Sequence, residues 1–278
     1  MTRSDDLRRF LEEDLADAGD ITSLATLPAD LPAEAIILAR GDIVVAGVEE
    51  AVAVFERLGV SCDVLSADGA RVSAGARILA VEGAARAILA GERLALNLLM
   101  RMSGIATLTS EIQRRVAAVN PACRVAATRK TTPGFRAYEK RAVALGGGEP
   151  HRSGLHDAFL VKDNHRAFLG VAEAVRRCRA YDPAKTVEVE VESLEDAVAA
   201  AAAGADWILI DNQTPEVAEA WAKAARAAKP DLKVEVSGGL TPENAHLAAR
   251  AADRVSLGWL THSPRAADLT LEMRPFAR

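Results

Sequence analysis

Two rhythms of apolar and polar positions run along this chain, and they change near residue 120. In the first part, the charged stretch 4–15 has helical spacing and gives way to GDITS. AEAIILARGDIVVAG then predicts strand, turn and strand. VEEAVAVFERLG carries apolar residues at helical intervals and stops at Gly59, a residue suited to ending a helix. DGARVSAGARILAVEG alternates between glycine turns, which predicts short antiparallel strands. The run ARAILAGERLALNLLMRMSGIATLTSEIQRRVAAV keeps a helical period for more than thirty residues. Ser103-Gly104 is the expected break that divides it into two helices.

From residue 124 a shorter beat takes over. RVAAT (124–128), AFLVKD (158–163), TVEVEVE (186–192), WILID (207–211), KVEVS (233–237) and RVSLG (254–258) each read as a strand, and helical, often alanine-rich segments separate most of them. Six such units predict a parallel α/β structure. A closed barrel is favoured over a doubly wound sheet, because no glycine fingerprint follows the first strand. In such barrels chemistry collects where the strands end. The ends here carry Thr128-Arg129-Lys130, Lys162-Asp163-Asn164, Glu190 to Glu192, Asp211-Asn212, Ser237-Gly238-Gly239 and Gly258.

Composition adds little to the fold and more to the ligand. The 278 residues are half apolar and about a quarter charged, with 4% aromatics, as expected of a globular protein. No apolar run is long enough to span a membrane, and the charged start lacks the apolar core of a signal peptide, so a cytoplasmic location is expected. Cys62, Cys123 and Cys178 are widely spaced and odd in number, which suggests neither a disulfide framework nor a zinc site. The net charge of −5 hides a basic segment: residues 124–166 hold nine Lys or Arg against four Asp or Glu. Gly-Gly-Gly and apolar stretches interrupt it and few aromatics accompany it, which argues against nucleic acid and for a small polyanion.

Each candidate site follows from geometry. Alternation places Glu188, Glu190 and Glu192 on one face of their strand and the valines on the other. Helices cover the outer face of a barrel, so the glutamates are expected to point inward, where they can hold a divalent cation, ribose hydroxyls, or both. Asp211 ends the next strand, and two carboxylates without His or Cys suit Mg²⁺ held partly through water. Ser237-Gly238-Gly239 before TPEN, with Gly258 and Leu260 to Ser263 on the following strand, resembles the phosphate corner common in barrels. Arg129, Lys130, Arg152 and Lys162, with His151 beside them, can neutralise a ligand bearing more than one carboxylate. Arg136, Lys140 and Arg141 read as solvated positions, and Arg93 as an arginine snorkelling from an apolar helix.

Together TRKTTPG, GGGEPHRSGL, LVKDNH, EVEVESLEDA, LIDN, VSGGLTPEN and SLGWLTHS, in this order, resemble the quinolinate phosphoribosyltransferase family. EEDLADAGDITS and GERLALNLLMRMSGIAT extend the resemblance to residues 10–273. It implies an N-terminal α/β sandwich domain over 1–105, onto which the tail 267–278 packs back, and an incomplete α/β barrel of about six parallel strands over 106–266. It implies transfer of phosphoribosyl from phosphoribosyl pyrophosphate to quinolinate with Mg²⁺, giving nicotinate mononucleotide, pyrophosphate and CO₂. By the resemblance, Arg129, Lys130, His151, Arg152 and Lys162 line the quinolinate pocket, and Lys130 and Lys162 also reach phosphoribosyl pyrophosphate. Glu190 and Asp211 hold ribose and Mg²⁺, while Ser237, Gly238, Gly239, Gly258 and His262 form the 5′-phosphate site. The same resemblance implies a homodimer, or a higher even oligomer, in which Arg93 enters the partner's pocket. Ala127, Pro150 and Trp259 depart from the family's usual residues. Pro150 also occurs in a related group encoded with molybdate transporters, whose acidic heterocycle is unknown, but that group departs at LVKDNH, which is intact here. A non-catalytic phosphate-binding barrel is the other alternative, and the joint presence of Lys130, Lys162, Glu190 and Asp211 speaks against it.

Overall fold

A computed structural model describes residues 3–276. The chain forms two compact units, one comprising Met1–Thr107 with Pro264–Arg278 and the other Leu108–Ser263.

The first unit is built on an antiparallel sheet. Strand β1 (Pro32–Ala39) lies between β5 (Arg77–Ala84) and the C-terminal strand Leu269–Pro275, and β3 (Ser61–Val64) pairs with the far side of β5. The C-terminal strand runs in register with β1 from Ala33 opposite Pro275 to Ala39 opposite Leu269. The strand–turn–strand expected over 33–47 is present, with its second strand paired elsewhere. β2 (Ile43–Val44) pairs with β4 (Arg71–Val72), not with β1. Helix Val48–Arg57 buries Val48, Ala51, Val54 and Phe55, and Gly59 follows it at φ +76°.

The long apolar segment is one helix, Ala85–Val119, not two. Ser103 and Gly104 serve tertiary contacts there. The Ser103 hydroxyl bonds both the N–H (2.9 Å) and the carbonyl (3.1 Å) of Ala46. A Cβ on Gly104 would come within 2.1 Å of the Arg265 carbonyl oxygen, so the glycine permits close approach of the returning chain. Residues that read locally as a helix break are thus small for packing.

The second unit is a six-stranded parallel sheet. Its strands are β6 (Arg124–Ala126), β7 (Phe159–Val161), β8 (Val187–Val191), β9 (Trp207–Asp211), β10 (Lys233–Ser237) and β11 (Arg254–Ser256), in the order β6-β11-β10-β9-β8-β7. All six predicted strands exist. Among the described residues β6 and β7 do not pair with one another, so the barrel is incomplete rather than closed. A single bridge from Ala126 to Glu149 extends the β6 edge. Connecting helices such as Leu194–Ala202 and Pro215–Ala228 bury alanines, whose small side chains let helix and sheet approach closely.

Candidate active site

The carboxyl ends of the parallel strands surround a cavity of about 450 Å³. Arg129, Lys130, His151, Arg152, Lys162, Glu190, Asp211, Ser237, Gly238 and Gly239 all line it. A larger hollow of about 720 Å³ lies on the first unit's sheet, where Glu34, Asp63, Glu82 and Glu272 outnumber Arg77 and Arg274. It has no convergence of cations, carboxylates and glycines, so the smaller cavity is where the chemistry can occur.

The threonines of TRKTTPG shape the loop that presents Arg129 and Lys130. Thr128 Oγ1 accepts from the Lys130 N–H at 3.1 Å, and Thr131 Oγ1 accepts from Arg136 Nε at 2.9 Å. Thr132 donates its backbone N–H and its hydroxyl to Glu139, each at 3.0 Å, and Glu139 is fully buried. These local bonds leave Arg129 and Lys130 exposed toward the cavity. Lys140 departs from its expected solvated position. It is buried, and its ammonium donates to the carbonyls of Pro150 and His151, which fixes the turn of the GEPHR loop. Burial, aided by the charge of Arg136, lowers its pKa to about 8. Arg136 is also engaged, donating to the Ser153 carbonyl at 3.0 Å.

On β8, Glu188 and Glu190 point inward and are buried, but Glu192 does not follow them. Its side chain is 63% exposed and meets Arg166 at 3.5 Å. Glu190 pairs with Lys162, and Arg166 donates to the Glu190 backbone carbonyl at 3.2 Å. Asp211 stands at the end of β9, accepting from the Asn212 side chain at 2.7 Å. Partial burial, and then the charge of Glu190, raises the Asp211 pKa above the ordinary carboxylate value. Glu190 and Asp211 are oxygen-donor carboxylates on neighbouring strands, a pair that suits a hard divalent cation with water and phosphate oxygens completing its shell.

Gly238 takes φ +81°, and a Cβ there would lie 2.5 Å from the Asn212 backbone nitrogen, so only glycine fits between the ends of β9 and β10. Gly258 and His262 do not line the main cavity. A Cβ on Gly258 would come within 2.9 Å of Lys130 Cδ and 2.8 Å of the His262 ring, so the glycine leaves room for both side chains. Thr261 donates to the Lys130 carbonyl at 2.7 Å. Trp259 tilts over His262 with ring centroids 6.2 Å apart. Arg93 is exposed on helix Ala85–Val119 and belongs to the first unit.

Beneath the cavity lies a charged layer that strand alternation revealed only at Glu188. His151 Nε2 is 3.1 Å from Glu235 and 3.4 Å from Glu188. Arg254 bonds Glu235 and, at 3.0 Å, Glu188, while its guanidinium stacks 3.9 Å from the Trp207 ring. Burial opposes charge on His151, yet the two carboxylates outweigh it and raise its pKa to about 9. Its Nδ1 also lies 2.6 Å from the Arg152 backbone nitrogen, a contact that favours the neutral ring. Two carboxylates at close range outweigh that single amide, so His151 is cationic at neutral pH. His151, Glu188 and Glu235 are spaced as metal ligands can be. Arg254 and His151 together match the two carboxylates, so the group is an ion network. Burial works against ionised Glu235, but His151 and Arg254 hold it well below the usual range; Glu188, buried beside that charge, is raised. Arg254 and Glu235 looked like strand-start and strand-interior residues in sequence. The Glu in KVEVS was the available signal, since its alternation matches that of VEVEV.

Comparison with known proteins agrees with this arrangement. The family description "Quinolinate phosphoribosyl transferase, N-terminal domain" matches residues 20–103, and "Quinolinate phosphoribosyl transferase, C-terminal domain" matches 105–272. The chain is 45% identical over 266 residues to the probable nicotinate-nucleotide pyrophosphorylase (carboxylating) of Methanothermobacter thermautotrophicus, covering 93% of this chain and 95% of that protein. It is 40% identical over 275 residues to the nicotinate-nucleotide pyrophosphorylase (carboxylating) of Mycobacterium leprae, covering 97% and 96%. The crystal structure of NadC from Streptococcus pyogenes superposes with a TM-score of 0.91 at 35% identity, over 98% of this chain and 96% of that one.

Proposed function

The chain belongs to the quinolinate phosphoribosyltransferase family, and from that premise we propose that it transfers the phosphoribosyl group of phosphoribosyl pyrophosphate to quinolinate with loss of CO₂. The observation that carries the reading is the convergence of five cations, two carboxylates and a glycine-rich strand end on one cavity. Arg129, His151, Arg152 and Lys162 bind the two carboxylates of quinolinate and orient its ring nitrogen toward C1 of the ribose. Lys130 meets the pyrophosphate, and the backbone at Ser237-Gly238-Gly239 receives the 5′-phosphate. Glu190 and Asp211 face the ribose, where positive charge develops as pyrophosphate leaves. When bound, Mg²⁺ between Glu190 and Asp211 would supply neutralising charge to the departing pyrophosphate. Once the ring nitrogen is quaternised, its positive charge stabilises the carbanion left at C2 when CO₂ departs, and a proton from water then fills that position. No covalent nucleophile on the chain takes part.

Nicotinate lacks one carboxylate and would leave pocket cations unpaired. Its kcat/KM is expected to be about a thousandfold lower than that of quinolinate, as an unpaired charge in a partly desolvated site costs several kcal/mol. Assay of CO₂ and pyrophosphate release with both acids tests this; comparable turnover of nicotinate would overturn the assignment.

The functional unit we propose is a homodimer, or an even multiple, working in the cytoplasm, in which a second copy supplies Arg93 to the cavity. Among the described residues no helix is long and apolar enough to cross a membrane, and the three cysteines are free. Mixing an Arg93→Ala chain with a Lys162→Ala chain should restore about a quarter of wild-type activity, because half of randomly exchanged dimers are mixed and one of their two sites is whole. Inactive mixtures, with exchange established by mass, would put both residues in one chain's pocket.

A further inference from the structure

Glu235 lines the floor of the cavity with both carboxylate oxygens engaged. Oε2 receives Arg254 Nε and sits 3.1 Å from His151 Nε2, while Oε1 accepts from Ser256 Oγ at 2.5 Å. Ser256 Oγ is in turn 2.9 Å from Ser237 Oγ. A serine hydroxyl carries a single proton, and the carboxylate is the stronger acceptor in reach. Ser256 therefore donates to Glu235 and accepts from Ser237. A continuous chain of bonds results, His151–Glu235–Ser256–Ser237, whose middle members are only 1% and 3% exposed.

The ends of this chain serve different parts of the ligand. His151 stands among the cations that meet the carboxylates, and Ser237 opens the glycine pair that meets phosphate. Neutralising Arg254 does not account for Glu235, because Glu188 at 3.0 Å already matches that charge and Glu149 stands at 3.6 Å. The charge Glu235 adds is balanced by His151.

We propose that Glu235 is a positioning residue shared by both halves of the site: it holds His151 for the dicarboxylate and, through Ser256, anchors the Ser237 side chain and with it the strand end whose backbone receives the 5′-phosphate. The proposal rests on the reaction given above. Without the Ser256 hydroxyl, Ser237 Oγ keeps only the long 3.4 Å bond to the Ser256 backbone carbonyl, and the anchor of this strand end is weakened. Without a carboxylate at 235 both ends are released.

Calorimetric titration of the full chain with quinolinate alone and with phosphoribosyl pyrophosphate alone separates the arms. Ser256→Ala should weaken phosphoribosyl pyrophosphate about fivefold and leave quinolinate within about twofold of wild type. Glu235→Gln should weaken each ligand, quinolinate by about tenfold, as a charge-assisted bond to His151 is lost. General damage to the fold would weaken both ligands in both variants and lower their melting temperatures together. Wild-type affinity for phosphoribosyl pyrophosphate in Ser256→Ala would overturn the proposal, even if Glu235→Gln fails to fold. Equal weakening of both ligands in Ser256→Ala would overturn it too. CO₂ release by the wild-type chain is scored separately, so its absence would count against the reaction while the binding pattern still decides the role of Glu235.

Discussion

Strands β1 and β8 reverse one another's composition and burial. β1 (PAEAIILA) is largely apolar, yet only alternate residues are buried. β8 (VEVEV) alternates strictly between valine and glutamate, yet all five residues are buried. The difference lies in what covers each face. One face of β1 looks onto the open hollow of its sheet, so Ile36 and Leu38 keep part of their surface in water. β8 has helices outside and a filled barrel inside, where Arg254, His151 and Lys162 meet its glutamates. Alternation therefore reports which side a residue faces, and the neighbours decide whether that side is wet.

The sharpest way to break this comparison is to remove a cation from each sheet. Arg254→Met leaves the buried Glu188 and Glu235 with His151 as their one shared cation and should destabilise the second unit by about 3–5 kcal/mol. Arg274→Met removes the exposed partner of Glu34, 2.6 Å away on the first unit's sheet, and should cost about 1 kcal/mol or less. All three tryptophans lie in the second unit, so their fluorescence follows its denaturation, while calorimetry follows the first. Equal losses would mean that the barrel interior is as well hydrated as the open sheet.

Within β8 itself, the second glutamate faces the cavity and the first faces the ion network. On the proposed role of Glu190 in stabilising charge that develops during the reaction, Glu190→Gln should lower kcat by about a hundredfold with little change in unfolding midpoint. Steady-state rates near wild type would reduce Glu190 to a partner for Lys162.

The smallest effect concerns pH. His151 is raised from 6.5 to about 9, so its contribution to stability is complete below pH 6.5 and is lost as pH rises through 9. Lys140 is lowered from 10.5 to about 8, so its burial cost is present below pH 8 and disappears toward 10.5. Between pH 6.5 and 8 His151 should weaken the second unit, and above 8 Lys140 should offset part of the loss. A His151→Gln chain unfolded by urea across pH 6.5–8 should show a flatter slope than wild type; an unchanged slope would remove His151 from the balance.

Much of the barrel was legible because its signals are local. Each of the six strands is a short apolar or alternating run bounded by polar residues, and each carries its loop chemistry at its carboxyl end, so TRKTTPG, LVKDNH and VSGGL could be read as strand ends. The buried charge on Lys140, Glu139 and Arg254 was not legible, since each sits in a sequence that suits a solvated helix face or a strand start. Ser103-Gly104 misled for the same reason: its purpose is contact with Ala46 and Arg265, remote in sequence.

By itself the sequence determined the number and direction of the parallel strands, the inward turn of Glu188 and Glu190, and the gathering of cations at strand ends. These depend on backbone periodicity and on the rule that loops follow strands, which act over a few residues. Only the tertiary structure decided that the sheet stays open between β6 and β7, that the helix continues through Ser103-Gly104, and that Glu235, Arg254 and Ser256 join His151 to Ser237. Those outcomes depend on which strands become neighbours, and a carboxylate can stay ionised in the core only where another strand delivers its cation.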